Sequence, residues 1–542
     1  MRLRYASLAV VALSVACTGS DEPVQQEEAA AAQISPPALG IRPQGDTEIQ
    51  PDLSQVSDEL AEVFGFIDEN IDEHVLNLQR WIQQPSISNT GEGIPESAQL
   101  VKSMFDQLGC QDSRVFEMGE TEWGSQGNPV VYAKCDEGAE RTVLAYWMYD
   151  TMPITQPDLW SYPPFEGRIV EQEPYQKVMI GRGATNTKGP HMVEWNALMS
   201  IKAVTGTLPV NVIFVAEGDE ERMSLGLQKF VKEHADLLEG AEALFFGLAS
   251  QGPSGGATVW GSSEGCVNFE LTTSGAKWGR GPVYGDIHGG RKRAVDSPAW
   301  RHMQMLESLL TPDGNRAAVD GFYDDMVPLT DAEMDYLEGL AGKLDLEVAA
   351  RNIGVARFIT DDPLEYLKMS RYGTSWNMDG IFGGNMYGGG AGAILPSRIT
   401  SKHHIRYIPN MDGMDLARKV RVQLDQNGYD DVEMEIIGNV PWSRIDYDTE
   451  IVHAMTKTYE IFNIPYTPPP AMESMLLGGF WPSYLWGGDP LNLQIMIGGA
   501  GHGGNAHAND EYFVIEGAGQ VYGMAGAEKS VATALYNFAG KN

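Results

Sequence analysis

Residues able to do chemistry gather at a few points in the chain. Glu217-Gly218-Asp219-Glu220-Glu221, followed by Ser224, comes directly after an apolar run from Val210 to Ala216. Adjacent carboxylates such as Glu220 and Glu221 suit general acid–base work or metal ligation. The plainer alternative is a pair of solvated acids at a helix start, where the helix dipole favours them. Their position behind a buried run favours a site. His502 and His507 stand five residues apart in Gly-His-Gly-Gly-Asn-Ala-His. His507 is a candidate site residue, with a backbone-bonded loop histidine as the alternative, and His502 has reach but no fixed direction. His191 follows Lys188-Gly189-Pro190 and opens a helix, where a surface or capping role is the plainer reading. Asp150 closes a second apolar run, from Val143 to Tyr149. Arg371 and Arg406 are candidate substrate anchors, because a guanidinium binds a carboxylate bidentately; ordinary salt bridges are the alternative.

Other catalytic schemes leave no trace. There is no Gly-x-Ser-x-Gly elbow and no GxxxxGK[ST] phosphate loop, and Gly181-Arg182-Gly183 lacks the third glycine of a dinucleotide fingerprint. The four cysteines, Cys17, Cys110, Cys135 and Cys266, match no zinc spacing. Cys110 and Cys135 are either a disulfide, in an oxidising compartment, or buried free thiols.

The elements that must hold these residues follow from periodicity. Ile67, Ile71, Val75, Leu78 and Ile82 recur at helical spacing and predict an amphipathic helix ending near Gln84, before Pro85. A second helix spans about 96–108 and stops at Gly109. Apolar runs at 129–133, 143–149, 210–216 and 243–246 read as buried strands, with helices at 192–204 and 225–238 between them. That alternation predicts a sheet covered on both faces. Beyond Trp260, alternating runs at 267–273 and 401–407 flank a helix at 297–310, the pattern of a smaller inserted α+β domain.

With 542 residues, the chain exceeds what one core usually serves, and 43% apolar with 21% charged residues fits a folded protein. A formal net charge of −36 argues against nucleic acid or anionic lipid as partner. Arg2 and Arg4 precede a short apolar run from Leu8 to Ala16, the layout of a secretory signal. Cys17 follows Val15-Ala16, so a lipid anchor at Cys17 and a plain cleaved signal are both open. The expected divisions are a signal at 1–17, an acidic tether at 18–52, a larger domain at 53–262 and 410–542, and an inserted domain at 263–409. Location outside the cytoplasm follows: periplasmic or outer surface.

Five segments, in order, carry a family likeness. They are Tyr146-Trp147-Met148-Tyr149-Asp150 with Trp160 and Pro164-Phe165; Gly181 to Pro190; Glu217 to Glu221 with Ser224; Asp286-Ile287-His288; and His507-Ala508-Asn509-Asp510-Glu511-Tyr512. Together they resemble the M-twenty metallopeptidase family of carnosinases, aminoacylases, acetylornithine deacetylase and succinyl-diaminopimelate desuccinylase. The resemblance implies an α/β zinc-exopeptidase-like catalytic domain, a mixed sheet between helices, with an inserted α+β lid domain that dimerises. It implies two zinc ions and a glutamate general base. Glu220 matches that base, Glu221 and His507 match ligands of one zinc, and Asp150 matches the carboxylate that orients the ligands. His288 matches a lid histidine that reaches a partner's site and supports the oxyanion.

Three positions depart from the pattern. Met148 stands where the family has its first histidine ligand, and Asn186 where it has the bridging carboxylate. No Asp, Glu or His occurs from Ala243 to Ser263, where the remaining acidic ligand belongs. A thioether is a poor zinc ligand and an amide brings no charge to a bridge. At most one zinc is expected, on Glu221 and His507 with Asn186 as a weak third ligand, and a chain without metal is also open. The expected function is amide-bond hydrolysis of a small peptide or N-acyl amino acid outside the cytoplasm. The alternatives are an inactive binding protein using the same cleft and a metal-independent acyl-transfer enzyme.

Overall fold

A computed structural model of the chain describes residues 38–389, 392–467 and 479–542. The expected signal segment, Cys17 and most of the tether lie outside the described residues. The rest of the tether is not one: Ile41 N–H bonds Asp72, Arg42 pairs with Glu516, and Asp46–Thr47 pairs in parallel with Ala518–Gly519. The 18–52 assignment is therefore corrected at Gly40, from which the chain is fixed to the body by backbone and ion-pair bonds that composition does not reveal.

The larger domain begins with α1 (Asp58–Ile82), capped by the Ser57 side chain, and all five of its forecast apolar positions are buried. Next come α2 (Ile94–Leu108), closed by left-handed Gly109, then β1 (Asp112–Phe116), β2 (Val130–Cys135) and β3 (Thr142–Met148). They are followed by β4 (Tyr175–Ile180), α3 (Lys188–Thr205), β5 (Asn211–Glu217), α4 (Leu225–His234) and β6 (Ala243–Gly247). Cys110 and Cys135 are joined as a disulfide, and Cys266 is a buried thiol.

The smaller domain holds β7 (Gly265–Ser274), α5 (Pro298–Glu307), α6 (Asp331–Ala341) and α7 (Pro363–Tyr372). It continues through β8 (Ser375–Phe382), β9 (Arg398–Tyr407), α8 (Gly413–Gln426) and β10 (Glu433–Val440). The strand order is β8-β9-β7-β10, all antiparallel. This moves the expected boundary from 409 to about Val440. Leu416, Ala417, Val420 and Leu424 of α8 are buried in the core of this sheet rather than in the larger one.

The chain then rebuilds the larger domain with α9 (Glu450–Ile461), β11 (Gln494–Gly498), β12 (Tyr512–Glu516) and α10 (Met524–Phe538). The main sheet runs β11-β6-β3-β5-β2-β1, mixed, with β11, β6, β3 and β5 mutually parallel. Side chains alternate across it. Trp147 and Phe214 stack with Phe105 of α2 on one face, while Leu144, Tyr146 and Met148 join Leu227, Phe230 and Val231 of α4 on the other. Among the described residues no helix is long and apolar enough to cross a membrane.

Candidate active site

Parallel strands β3 and β5 end side by side, Met148 opposite Glu217, and each leads into a loop that carries acids. After β3 comes Asp150, fully buried. Its two oxygens accept the backbone N–H groups of Glu220 at 3.2 Å and Glu221 at 3.0 Å. Asp150 thus holds the turn that presents both glutamates. Burial, then the charges of Glu221 and Asp219, raise the Asp150 carboxyl to about 8. Burial and the neighbours Glu221, Asp150 and Glu217 raise Glu220 as well. Acids packed this closely favour a cation among them.

Glu221 and His507 converge. Their Oε1 and Nε2 atoms lie 3.1 Å apart, with the Glu221 side chain 4% exposed and His507 52% exposed toward the cleft. Asn186 Nδ2 donates to Glu221 Oε1 at 2.8 Å and lies 3.0 Å from His507 Nε2. The hydrogen bond with Glu221, offset by burial, raises the His507 pKa. The loop bearing Asn186 is fixed by Glu511, a buried acid just ahead of β12. One Glu511 oxygen accepts from Arg182 and the Gly183 N–H, the other from the N–H groups of Thr185 and Asn186.

Glu221 and His507 are donors of the kind that zinc takes. Two ligands of a tetrahedral zinc stand about 3.4 Å apart, close to the observed Glu221–His507 spacing, and a half-turn of the Asn186 amide would present Oδ1 to the same point. Met148 brings no further donor to this corner. Met148 is packed into the apolar core, and its N–H donates to His191 Nε2 at 3.1 Å. Among the described residues, no group of three or more His, Cys, Asp or Glu is arranged to hold a metal.

Three other histidines lie apart from this corner. His191 is fully buried between Trp147 and Phe246, and burial lowers its pKa to about 3. Its expected surface or capping role is corrected, because α3 turns that face onto the sheet. His502 bonds Gln251 O and Tyr512 OH and is no ligand. His288 is exposed, its Nδ1 accepting the Gly290 N–H, and does not line its own chain's cleft.

A cavity of about 540 Å³ joins Glu221 and His507 to the smaller domain's sheet, where it is lined by Asp379, His404 and Arg406. Arg406 pairs with Glu264 at 2.5 Å and stacks over Phe480. Arg371 does not line this cavity; it sits in the last turn of α7, near Tyr336 and Tyr372. Local patterns missed two features. Asp379 and His404, 25 residues apart, meet at 2.8 Å only because β8 pairs with β9. Glu217 lies fully buried behind Glu220 and accepts from Tyr146 OH at 2.6 Å and Ser224 Oγ at 3.0 Å.

A mixed sheet whose parallel strand ends gather carboxylates and a histidine, facing an inserted antiparallel domain across a cleft, defines a metallohydrolase of the exopeptidase class. The sequence profile of peptidase family M20/M25/M40 matches residues 149–522, and the chain belongs to that family. It is 25% identical over 479 residues to the Cys-Gly metallodipeptidase DUG1 of Candida albicans, covering 83% of this chain and 93% of that protein. It is 25% identical over 432 residues to the Beta-Ala-His dipeptidase of Rattus norvegicus, covering 75% and 82%. The solved di-peptidase Dug1p of Saccharomyces cerevisiae shares the fold at a TM-score of 0.75 and 24% identity, covering 89% of this chain and 98% of that one.

Proposed function

We propose that this chain is an exported hydrolase of dipeptides or N-acyl amino acids that works with at most one zinc ion. The convergence of Glu221 Oε1 and His507 Nε2 beside Glu220 carries this reading. Asp150 and Glu511 add to it, since both are buried acids spent on fixing site loops. Glu220 takes a proton from the attacking water and returns it to the departing amine. A zinc ion held by Glu221 and His507 would polarise the scissile carbonyl. Arg406, across the cavity, supplies a guanidinium for a substrate carboxylate. The relatives named above carry the names of dipeptidases for Cys-Gly and Beta-Ala-His, and a cavity of about 540 Å³ suits substrates of that size.

His288 of a partner subunit would complete the oxyanion pocket if the smaller domain dimerises. Export, with a lipid on Cys17, draws on the Arg2–Arg4 charge, the apolar run behind it and the Cys110–Cys135 disulfide.

Steady-state kinetics of Glu220→Gln test the reading. The wild-type chain with zinc should turn over members of a dipeptide and N-acyl amino acid panel. The variant should lose roughly 10²–10⁴-fold in kcat with KM little changed. The neutral side chains Met148 and Asn186 favour a second reading, a binding protein that uses the same cleft. Saturable binding without turnover in the zinc-loaded wild type would establish it and refute the first.

A further inference from the structure

The smaller domain contains a second cavity, of about 390 Å³, and no residue lining it also lines the Glu221–His507 cleft. That volume falls within the roughly 300–1,000 Å³ range of small-molecule sites. Tyr323, Met326, Leu329, Met369, Trp376 and Ile408 supply its apolar walls.

Its charges run against the rest of the chain. Overall there are 74 acidic residues to 38 Lys and Arg. Here Arg316, Lys368 and Arg444 line one cavity with a single acid, Glu333. That acid is already committed. One Glu333 oxygen accepts the N–H and hydroxyl of Thr330 at 2.7 and 2.9 Å, and the other faces Arg444 at 3.2 Å. Lys368 pairs with Glu365 of its own helix at 2.8 Å, a surface pair of small energetic weight. Arg316 lies over the Tyr323 ring, its guanidinium 4.4 Å from the centroid.

A separate observation points to a missing acceptor. Tyr372, 7% exposed, lines the same cavity, and its hydroxyl is buried without a hydrogen-bond partner among the described residues. A buried hydroxyl left unpaired costs stability and calls for explanation. Burial, followed by the charge of Glu333, raises its pKa, so the phenol keeps its proton and stands as a donor.

We propose that this cavity is a binding site for an amphipathic monoanion, an apolar chain or ring bearing one carboxylate. The apolar body lies against Met326, Leu329 and Trp376. The carboxylate accepts from Tyr372 and sits in the field of Arg316, Lys368 and Arg444.

Isothermal titration of the full chain with decanoate, 1-decanol and decylamine tests this. Decanoate should bind saturably with one site per chain, at least about tenfold more tightly than either of the others. Tyr372→Phe should weaken decanoate about tenfold while leaving thermal stability unchanged or higher, because it deletes an unsatisfied hydroxyl. The double variant Arg316→Gln/Lys368→Gln, at one exposed and one half-buried position, should weaken decanoate and spare decanol. No saturable decanoate binding, equal binding of decanol, or undiminished decanoate affinity in a folded Tyr372→Phe protein would each overturn the proposal.

Discussion

Asn186 is one of the three positions at which the chain departs from the family pattern. Where a bridging carboxylate would repel Glu221 until a cation arrived, the amide instead donates to Glu221 and lies beside His507. A neutral group thereby links the two side chains of this corner. Two opposite effects of Asn186→Asp follow. Without metal, an added carboxylate 2.8 Å from Glu221 exchanges a hydrogen bond for like-charge repulsion, so the melting temperature should fall. With zinc, a charged third ligand should raise affinity about tenfold, measured by chelator competition, and restore the melting temperature. A variant indifferent to zinc in both measurements would show that no ion occupies this corner.

Among elements, the long helices behind the sheet are joined by a buried ion pair. His74 of α1 bonds Glu528 of α10 at 2.7 Å, and Glu528 also accepts from Asn196 of α3. Burial pulls the His74 pKa down, but the charge and hydrogen bond of Glu528 outweigh it, leaving the folded value above the ordinary one. The folded state then keeps a proton that the unfolded chain releases near pH 6.5. The resulting stabilisation is complete below that pH and fades as pH rises through the higher folded value. His74→Ala strands Glu528 and should cost about 3–5 kcal/mol in chemical denaturation at pH 6, with a smaller difference at pH 9. An unchanged difference between the two pH values would contradict the assignment. The first of these helices was legible from apolar spacing, since Ile67, Ile71, Val75, Leu78 and Ile82 all face the core. The allegiance of α8 and β10 was not, because an amphipathic helix followed by a strand reads alike whichever sheet it covers.

For the molecule as a whole, the sequence reveals what is local and conceals what only folding brings together. Strands β3, β5 and β6 could be read directly, since residues buried on both faces leave continuous apolar runs. Glu220, Glu221, Asp150 and His507 could be named as candidates because each sits in a segment carrying the family resemblance. The Asp379–His404 pair, the role of Glu511 and the fixing of residues 40–52 depend on partners dozens to hundreds of residues away, and no periodicity reports them. The proposed function rests on two ligand assignments: Glu221 and His507 as holders of one zinc ion, and Met148 as the loss of a second site. Metal analysis of the purified full chain after zinc loading and dialysis tests them most directly. About one zinc per chain is expected, absent from His507→Ala and from Glu221→Ala. Two zinc ions per chain, or none in a well-folded sample, would contradict it.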